Sequence, residues 1–271
     1  LERGSSHIEF QRDILKEEYE MHGIQGDLPH PKLVEKELLE YECADFISVP
    51  SLYVKNTFLA KGFPNHKLLH VPYGVELSQF KPVVKEDNVF RVIHCGLVSI
   101  RKGCHYLLRA FSELNLQDVE LWFVGDVLDE MAPFIERYKN AKIKFWGRQP
   151  QSKLNYYYSQ ANVFVLFSIE EGLAMVQAQA MACGLPIICT TNTGGEDLVK
   201  DERYGFVLQV RDVEQLKAKI LFFYDNQEKA KEMGSLGKES VSTSFTWDVY
   251  GEKMIREYEN CINQKTMGTQ G

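Results

Sequence analysis

Val163-Phe164-Val165-Leu166-Phe167 is an unbroken apolar run, and Ser168-Ile169-Glu170-Glu171-Gly172 follows it directly. The next stretch, Leu173–Cys183, is rich in Ala and Met and ends at Gly184, a common helix stop. Pro186–Cys189 is apolar again. Apolar runs that do not alternate with polar residues suit strands covered on both faces, as in a parallel sheet, and runs this short cannot span a bilayer. Strand, helix and strand in this order make one βαβ unit.

The unit repeats on either side. Upstream, Val89–His94, Val119–Val124 and Ile143–Trp146 read as strands. Cys104–Leu114, Met131–Tyr138 and Ser152–Gln160 read as helices, the first with an apolar face of Leu107, Leu108, Phe111 and Leu114. Downstream come a short helix at Gly195–Val199, a strand at Gly205–Leu208 and a helix at Val213–Asp225. Strand starts recur about every 20–30 residues, the length of a strand, a crossover helix and two loops. The expected fold is α/β: a doubly wound, Rossmann-like parallel sheet of six strands over residues 81–245. Residues 1–80 offer charged helices at Ile8–Glu20 and Lys32–Tyr41 and short strands at Phe46–Val49 and Leu68–Val71. Those strands are too few for a doubly wound domain, so this part is expected to be the end of another α/β domain and a linker. The chain begins at Leu1 rather than Met, which is expected of a processed start or, preferably, of a piece of a longer protein. In residues 246–271, Trp247–Cys261 is expected to be an amphipathic helix that crosses back onto the first part.

Composition narrows the class. The chain has 271 residues, 44% hydrophobic and 25% charged, the balance of a globular protein with a core rather than a disordered one. A net charge of −7 offers no basic field for nucleic acid. Cys43, Cys95, Cys104, Cys183, Cys189 and Cys261 form no CxxC pair and have no His at metal-finger spacing. Buried, reduced thiols in a cytoplasmic protein are expected, with no metal site.

In doubly wound sheets ligands bind beyond the carboxyl ends of the strands, which singles out three loops. Gly96-Leu97-Val98-Ser99-Ile100-Arg101-Lys102-Gly103 leads straight into a helix. Glycine allows close backbone approach, a helix N-terminus carries partial positive charge, and Arg101 and Lys102 add cations, so a diphosphate suits the loop. The spacing is neither GxGxxG nor GxxxxGK[ST]. A solvated Arg-Lys pair is the competing reading. In the second loop, Glu171 would stand at a helix mouth, with Gln179 about 80° round the helix at 100° per residue. Both side chains accept hydrogen bonds from sugar hydroxyls, although two acids before a helix also suit its dipole. In the third, Thr193-Gly194-Gly195-Glu196 could cup an anion with free backbone N–H groups, or form a plain turn.

In order and spacing, these segments resemble the retaining glycosyltransferases of the GT-B fold, family 4 (glycosyl transferases group 1). The resemblance runs from about residue 40 to 250. It rests on Val71-Pro72-Tyr73-Gly74-Val75-Glu76 with Phe80, Ile100-Arg101-Lys102-Gly103, Glu170-Glu171-Gly172 through Gly184-Leu185-Pro186, and Gly194-Gly195-Glu196 with Gly205-Phe206-Val207. It implies that Arg101 and Lys102 neutralise the donor diphosphate in place of a metal. Glu171 would contact the transferred sugar as the first acid of an E-x7-E pair. Gln179 stands where the second acid reads the ribose, a neutral amide in place of a carboxylate. Gly96, Gly103, Gly172, Leu173, Ala174, Gly194, Gly195 and Glu196 would line the donor, and Trp146-Gly147-Arg148 falls in the loop lining the base pocket. Ala174 replaces a usual glycine, and Leu97 a frequent arginine. His7, in Arg3-Gly4-Ser5-Ser6-His7, is placed like the family's acceptor-side catalytic histidine.

The implied function is metal-independent transfer of a sugar, with retention, from a UDP-, GDP- or ADP-linked nucleotide sugar to a hydroxyl of a glycan, lipid-linked or small-molecule acceptor. The donor is substrate, and no cofactor is implied. The cytoplasm is the implied compartment, with peripheral contact at the inner face of a membrane left open. Two alternatives stand beside it. One is a non-catalytic nucleotide-sugar-binding subunit that needs a partner chain; the other is a GT-B isomerase or phosphorylase, which would want acid/base residues or a pyridoxal lysine that are not evident. Asp126 follows a strand but lacks the second acid of a metal-binding DxD.

Overall fold

The computed structural model describes residues 1–199 and 202–268. In chain order its elements are α1 (Ile8–His22), α2 (Pro31–Cys43), β1 (Ile47–Val49), α3 (Leu52–Ala60), β2 (Leu68–His70), β3 (Phe90–Cys95), α4 (Cys104–Leu114), β4 (Val119–Val124), α5 (Ala132–Arg137), β5 (Ile143–Phe145), α6 (Gln151–Ser159), β6 (Val163–Leu166), α7 (Met175–Ala182), β7 (Ile187–Thr190), α8 (Gly195–Leu198), β8 (Gly205–Leu208), α9 (Val213–Asp225), α10 (Gln227–Ser244) and α11 (Trp247–Gly268).

Six strands pair in parallel in the order β5-β4-β3-β6-β7-β8. Side chains alternate between the sheet's faces and fill two cores. Phe90, Val92, Phe123, Val165 and Ile188 pack with α4 and α9 on one face. Ile93, Trp122, Phe164, Leu166 and Ile187 pack with α7 and α10 on the other. The doubly wound α/β expectation therefore holds. The strand order reverses between β3 and β6, paired through Val92–Val163 and Ile93–Phe164. The loops after those two strands share the crevice where such sheets hold ligands.

The first part of the chain carries its own small parallel pair, β1 and β2, extended by a bridge from Glu2 to Ser48. Its core gathers Ile8, Tyr41, Ile47, Val49, Phe58 and Leu68. Helix α11 packs back onto this part. Met254 is buried, and its sulfur lies 3.8 Å from the Ser48 hydroxyl.

Two helices escape the sequence reading. Helix α3 is nine residues long, and Ser51 caps it by accepting from the Val54 N–H at 3.2 Å. Helix α10 does follow the helical period, through Ala230, Met233, Gly234, Gly237 and Val241. Its buried stripe is largely of small residues, so it shows no apolar signature. Four cysteines are buried as expected, but Cys43 is exposed, because it ends α2 at the surface.

Candidate active site

The loop after β3 turns into α4 through Gly103, whose φ of +64° belongs to the left-handed region. A Cβ there would lie 1.8 Å from the Phe167 carbonyl oxygen, so only glycine lets this turn close on the end of β6. The Ile169 N–H donates to the Arg101 carbonyl at 2.9 Å and ties the two loops together. Arg101 and Lys102 are thus set beside Glu170 and Glu171.

The pairing is specific. Glu170 is fully buried and takes the Arg101 guanidinium at 2.8 Å and 3.0 Å. Its other oxygen accepts from the Ser6 N–H at 3.1 Å and the Ser6 hydroxyl at 2.7 Å. Arg101 also reaches the Ser5 hydroxyl at 3.3 Å. Lys102 pairs with Glu171. Burial, with Arg101 nearby, pulls the Lys102 ammonium down to about 8, and Cys104 and Glu170 oppose that shift. The Arg101 side chain keeps 33% exposure, and those of Lys102 and Glu171 keep 19% and 15%. The site therefore presents cations that can exchange a carboxylate for a phosphate.

The start of the same loop after β3 lines a hollow of about 230 Å³, with Gly96, Leu97, Gly125, Asp126, Arg148, Gln149 and Val176 in its walls. A Cβ on Gly125 would lie 1.9 Å from the Gly96 carbonyl, so the walls meet through bare backbone. The hollow can take a flat, polar-edged group.

The sequence-derived candidates divide. Gly96, Arg101, Lys102, Gly103 and Glu171 converge on the crevice, with Gly172 beside them. Leu173 and Ala174 precede α7, which begins at Met175, two residues later than expected, with Ala174 extended. Glu171 therefore sits in the loop, and the angular argument linking it to Gln179 does not apply. Gln179 lies inside α7 and accepts from the Tyr158 hydroxyl at 3.4 Å.

Others are placed elsewhere. The His7 ring is buried among Tyr41, Phe58 and Phe63 at 5.1, 5.0 and 5.6 Å. Its Nδ1 caps α1 by accepting from the Glu9 N–H, and burial lowers its pKa to about 4. His7 is thus a cap and core residue, not a group presented to the crevice. Gly194 and Gly195 are closely packed on the side a side chain would take: a Cβ on Gly194 would meet the Gly172 carbonyl at 2.5 Å and Ser51 at 2.9 Å. One on Gly195 would meet the Cys189 sulfur at 2.2 Å. The Gly195 N–H already donates to Thr193. Glu196 is exposed and faces a separate hollow lined by His70, Lys253 and Arg256. Trp146 packs on Trp122 and Tyr157 at 5.1 and 5.5 Å, outside the hollow that Arg148 and Gln149 line.

Sequence reasoning missed Glu170, Ser5 and Ser6 as site residues. Glu170 was in the quoted motif, and the serines flanked His7, but no local spacing joins positions 6 and 170.

Comparison with known proteins agrees with this architecture. The model of the family described as "Glycosyl transferases group 1" matches residues 76–240. A GDP-mannose-dependent monoacylated alpha-(1-6)-phosphatidylinositol monomannoside mannosyltransferase from Corynebacterium glutamicum is 25% identical over 237 residues, covering 78% of this chain and 61% of that protein. A sucrose-phosphate synthase structure from Thermosynechococcus elongatus superposes with a TM-score of 0.73 at 25% identity, covering 86% of this chain and 61% of that one. Anabaena HepE, solved with UDP and glucose, superposes with a TM-score of 0.73 at 18% identity, covering 82% of this chain and 65% of that one. The chain thus spans about three-fifths of the length of the curated relatives it matches. Since the family match runs from the linker before β3 into α10 and so takes in both crevice loops, the chain belongs to the glycosyl transferases of group 1.

Proposed function

We propose that this chain carries the donor half of a retaining, metal-independent glycosyltransferase, with a nucleotide sugar lying across the carboxyl ends of β3 and β6. The observation that carries the reading is the convergence of Arg101 and Lys102 with Glu171 at the reversal of strand order. The diphosphate bridges the guanidinium and the ammonium. The base enters the hollow at Gly96 and Arg148, and Glu171, released from Lys102, accepts from a hydroxyl of the sugar. As the glycosyl–phosphate bond breaks, charge builds on the leaving phosphate, and prepositioned cations lower that barrier. Glu170 stays with Ser6 and holds Arg101 in place. Retention follows from attack of the acceptor hydroxyl on the face the phosphate leaves, without a carboxylate nucleophile.

Among the named relatives, the mannosyltransferase is GDP-mannose-dependent and HepE is solved with UDP, so those two bases are the first to test. An acceptor on a lipid headgroup at the inner face of a membrane, reached from the cytoplasm, is part of this reading. Its support is the phosphatidylinositol mannoside substrate in the relative's name. Among the described residues, no helix is long and apolar enough to cross a membrane.

The test incubates the protein with labelled UDP-, GDP- and ADP-sugars and follows donor hydrolysis and transfer. Turnover of one donor, lost in Lys102→Ala, is expected. Binding of a donor without turnover by the full-length protein would instead favour a non-catalytic subunit.

A further inference from the structure

On the side of α4 that faces α1, three side chains meet that the donor site does not use. Glu18 and His22 stand one turn apart on α1, and His105 projects from the first turn of α4. One ligand atom from each lies within 4.8 Å of the others. Glu18 Oε1 is 2.9 Å from His105 Nε2 and 3.4 Å from His22 Nε2. Ligand atoms on a tetrahedral zinc, each about 2.0–2.1 Å from the metal, stand about 3.3 Å apart. The observed spacings lie within a few tenths of an ångström of that edge.

Hydrogen bonding satisfies these imidazoles only in part: His105 Nε2 is hydrogen-bonded to Glu18 Oε1 at 2.9 Å, a contact a metal would replace. His22 Nε2 is buried and faces Glu18, yet makes no hydrogen bond, and His105 Nδ1 also lacks a partner. The surroundings favour a fixed geometry. Arg211 Nε holds the far oxygen of Glu18 at 2.7 Å, leaving Oε1 to face the imidazoles. Such second contacts orient metal ligands. Tyr106 and Phe134 wall the cluster, with ring centroids 5.9 and 5.3 Å from His22. The His22 side chain keeps 22% exposure and provides a path for entry.

We propose that Glu18, His22 and His105 bind one divalent transition-metal ion, zinc by the nitrogen and oxygen character of the donors, and so clip α1 to α4. Three protein ligands leave a fourth position for water. The ion takes no part in the donor chemistry. It ties the first part of the chain to the helix that leads away from the cation loop.

Calorimetric titration of the chelator-treated protein with zinc chloride tests this, together with the absorption spectrum of the cobalt(II) form. One saturable equivalent and a tetrahedral cobalt spectrum are expected. His22→Ala, at a partly exposed position, weakens binding at least tenfold, the order of loss for a disrupted metal site. His105→Ala does the same, and the surface variant His66→Ala binds as the parent does. No saturable binding, an aqueous octahedral cobalt spectrum, or unchanged affinity in His22→Ala overturns the assignment. If His105→Ala fails to fold, His22→Ala and the cobalt spectrum decide alone.

Discussion

Lys102 and Arg101 sit side by side, yet each is matched to a different carboxylate with a different role. Glu170 is buried and held from the other side by Ser6, whereas Glu171 keeps some contact with solvent. Loss of the ammonium in Lys102→Ala should cut donor turnover by more than tenfold, about 1.4 kcal/mol or more at the barrier, as kcat/KM with the preferred nucleotide sugar will show. The Lys102 pKa of about 8 lies below the usual lysine range, so the charge is present at pH 7 and lost as pH rises through 8. Donor affinity measured from pH 7 to 9 should therefore fall, and Lys102→Arg should flatten the profile. Arg101, Lys102 and Glu171 were legible because each stands in a loop whose neighbours state its place. The tie from Ser6 to Glu170 was not legible, because it joins residues 164 apart and depends on how the two parts of the chain meet. His7 was assigned from its place in the family resemblance, and its ring is buried among Tyr41, Phe58 and Phe63.

At the scale of elements, the six central strands and most of the helices beside them were readable from apolar runs and helical periods, with ends shifted by a residue or two. Helix α10 was not, because its packing uses glycine where other helices use leucine. Gly234 lies so close to α7's exit that a Cβ would come within 1.9 Å of the Gly184 carbonyl. Alanine ordinarily favours a helix over glycine by roughly 0.5–1 kcal/mol. Here the sign should reverse: Gly234→Ala lowers the midpoint of thermal unfolding. Gly251→Ala in α11, where a Cβ meets nothing within 4 Å, raises it slightly. Equal gains from both would mean that α10 does not approach Gly184 this closely. Gly103→Ala should be more costly than an ordinary surface change, because left-handed backbone adds about 1–3 kcal/mol of strain to the clash with Phe167.

At the scale of the molecule, the first part of the chain closes directly over the crevice loops. A Cβ on Gly172 would strike the Gly4 carbonyl at 1.7 Å, the Ser51 hydroxyl donates to the Gly172 carbonyl at 2.9 Å, and the Leu52 N–H donates to Asp197 at 2.9 Å. Glu170 is the buried centre of that contact, so Glu170→Gln should destabilise the whole chain. A loss of about 1–3 kcal/mol in denaturant unfolding is expected, because Arg101 loses its charged partner and one Ser6 donor is left poorly matched. The most direct test of the donor assignment is a crystal structure of the protein with its preferred UDP- or GDP-sugar. The expected result places diphosphate oxygens within hydrogen-bond distance of both the Arg101 guanidinium and the Lys102 ammonium, with the base beside Gly96 and Arg148. A nucleotide seated instead in the hollow of His70, Glu196 and Arg256, with the Lys102–Glu171 pair intact, would contradict it.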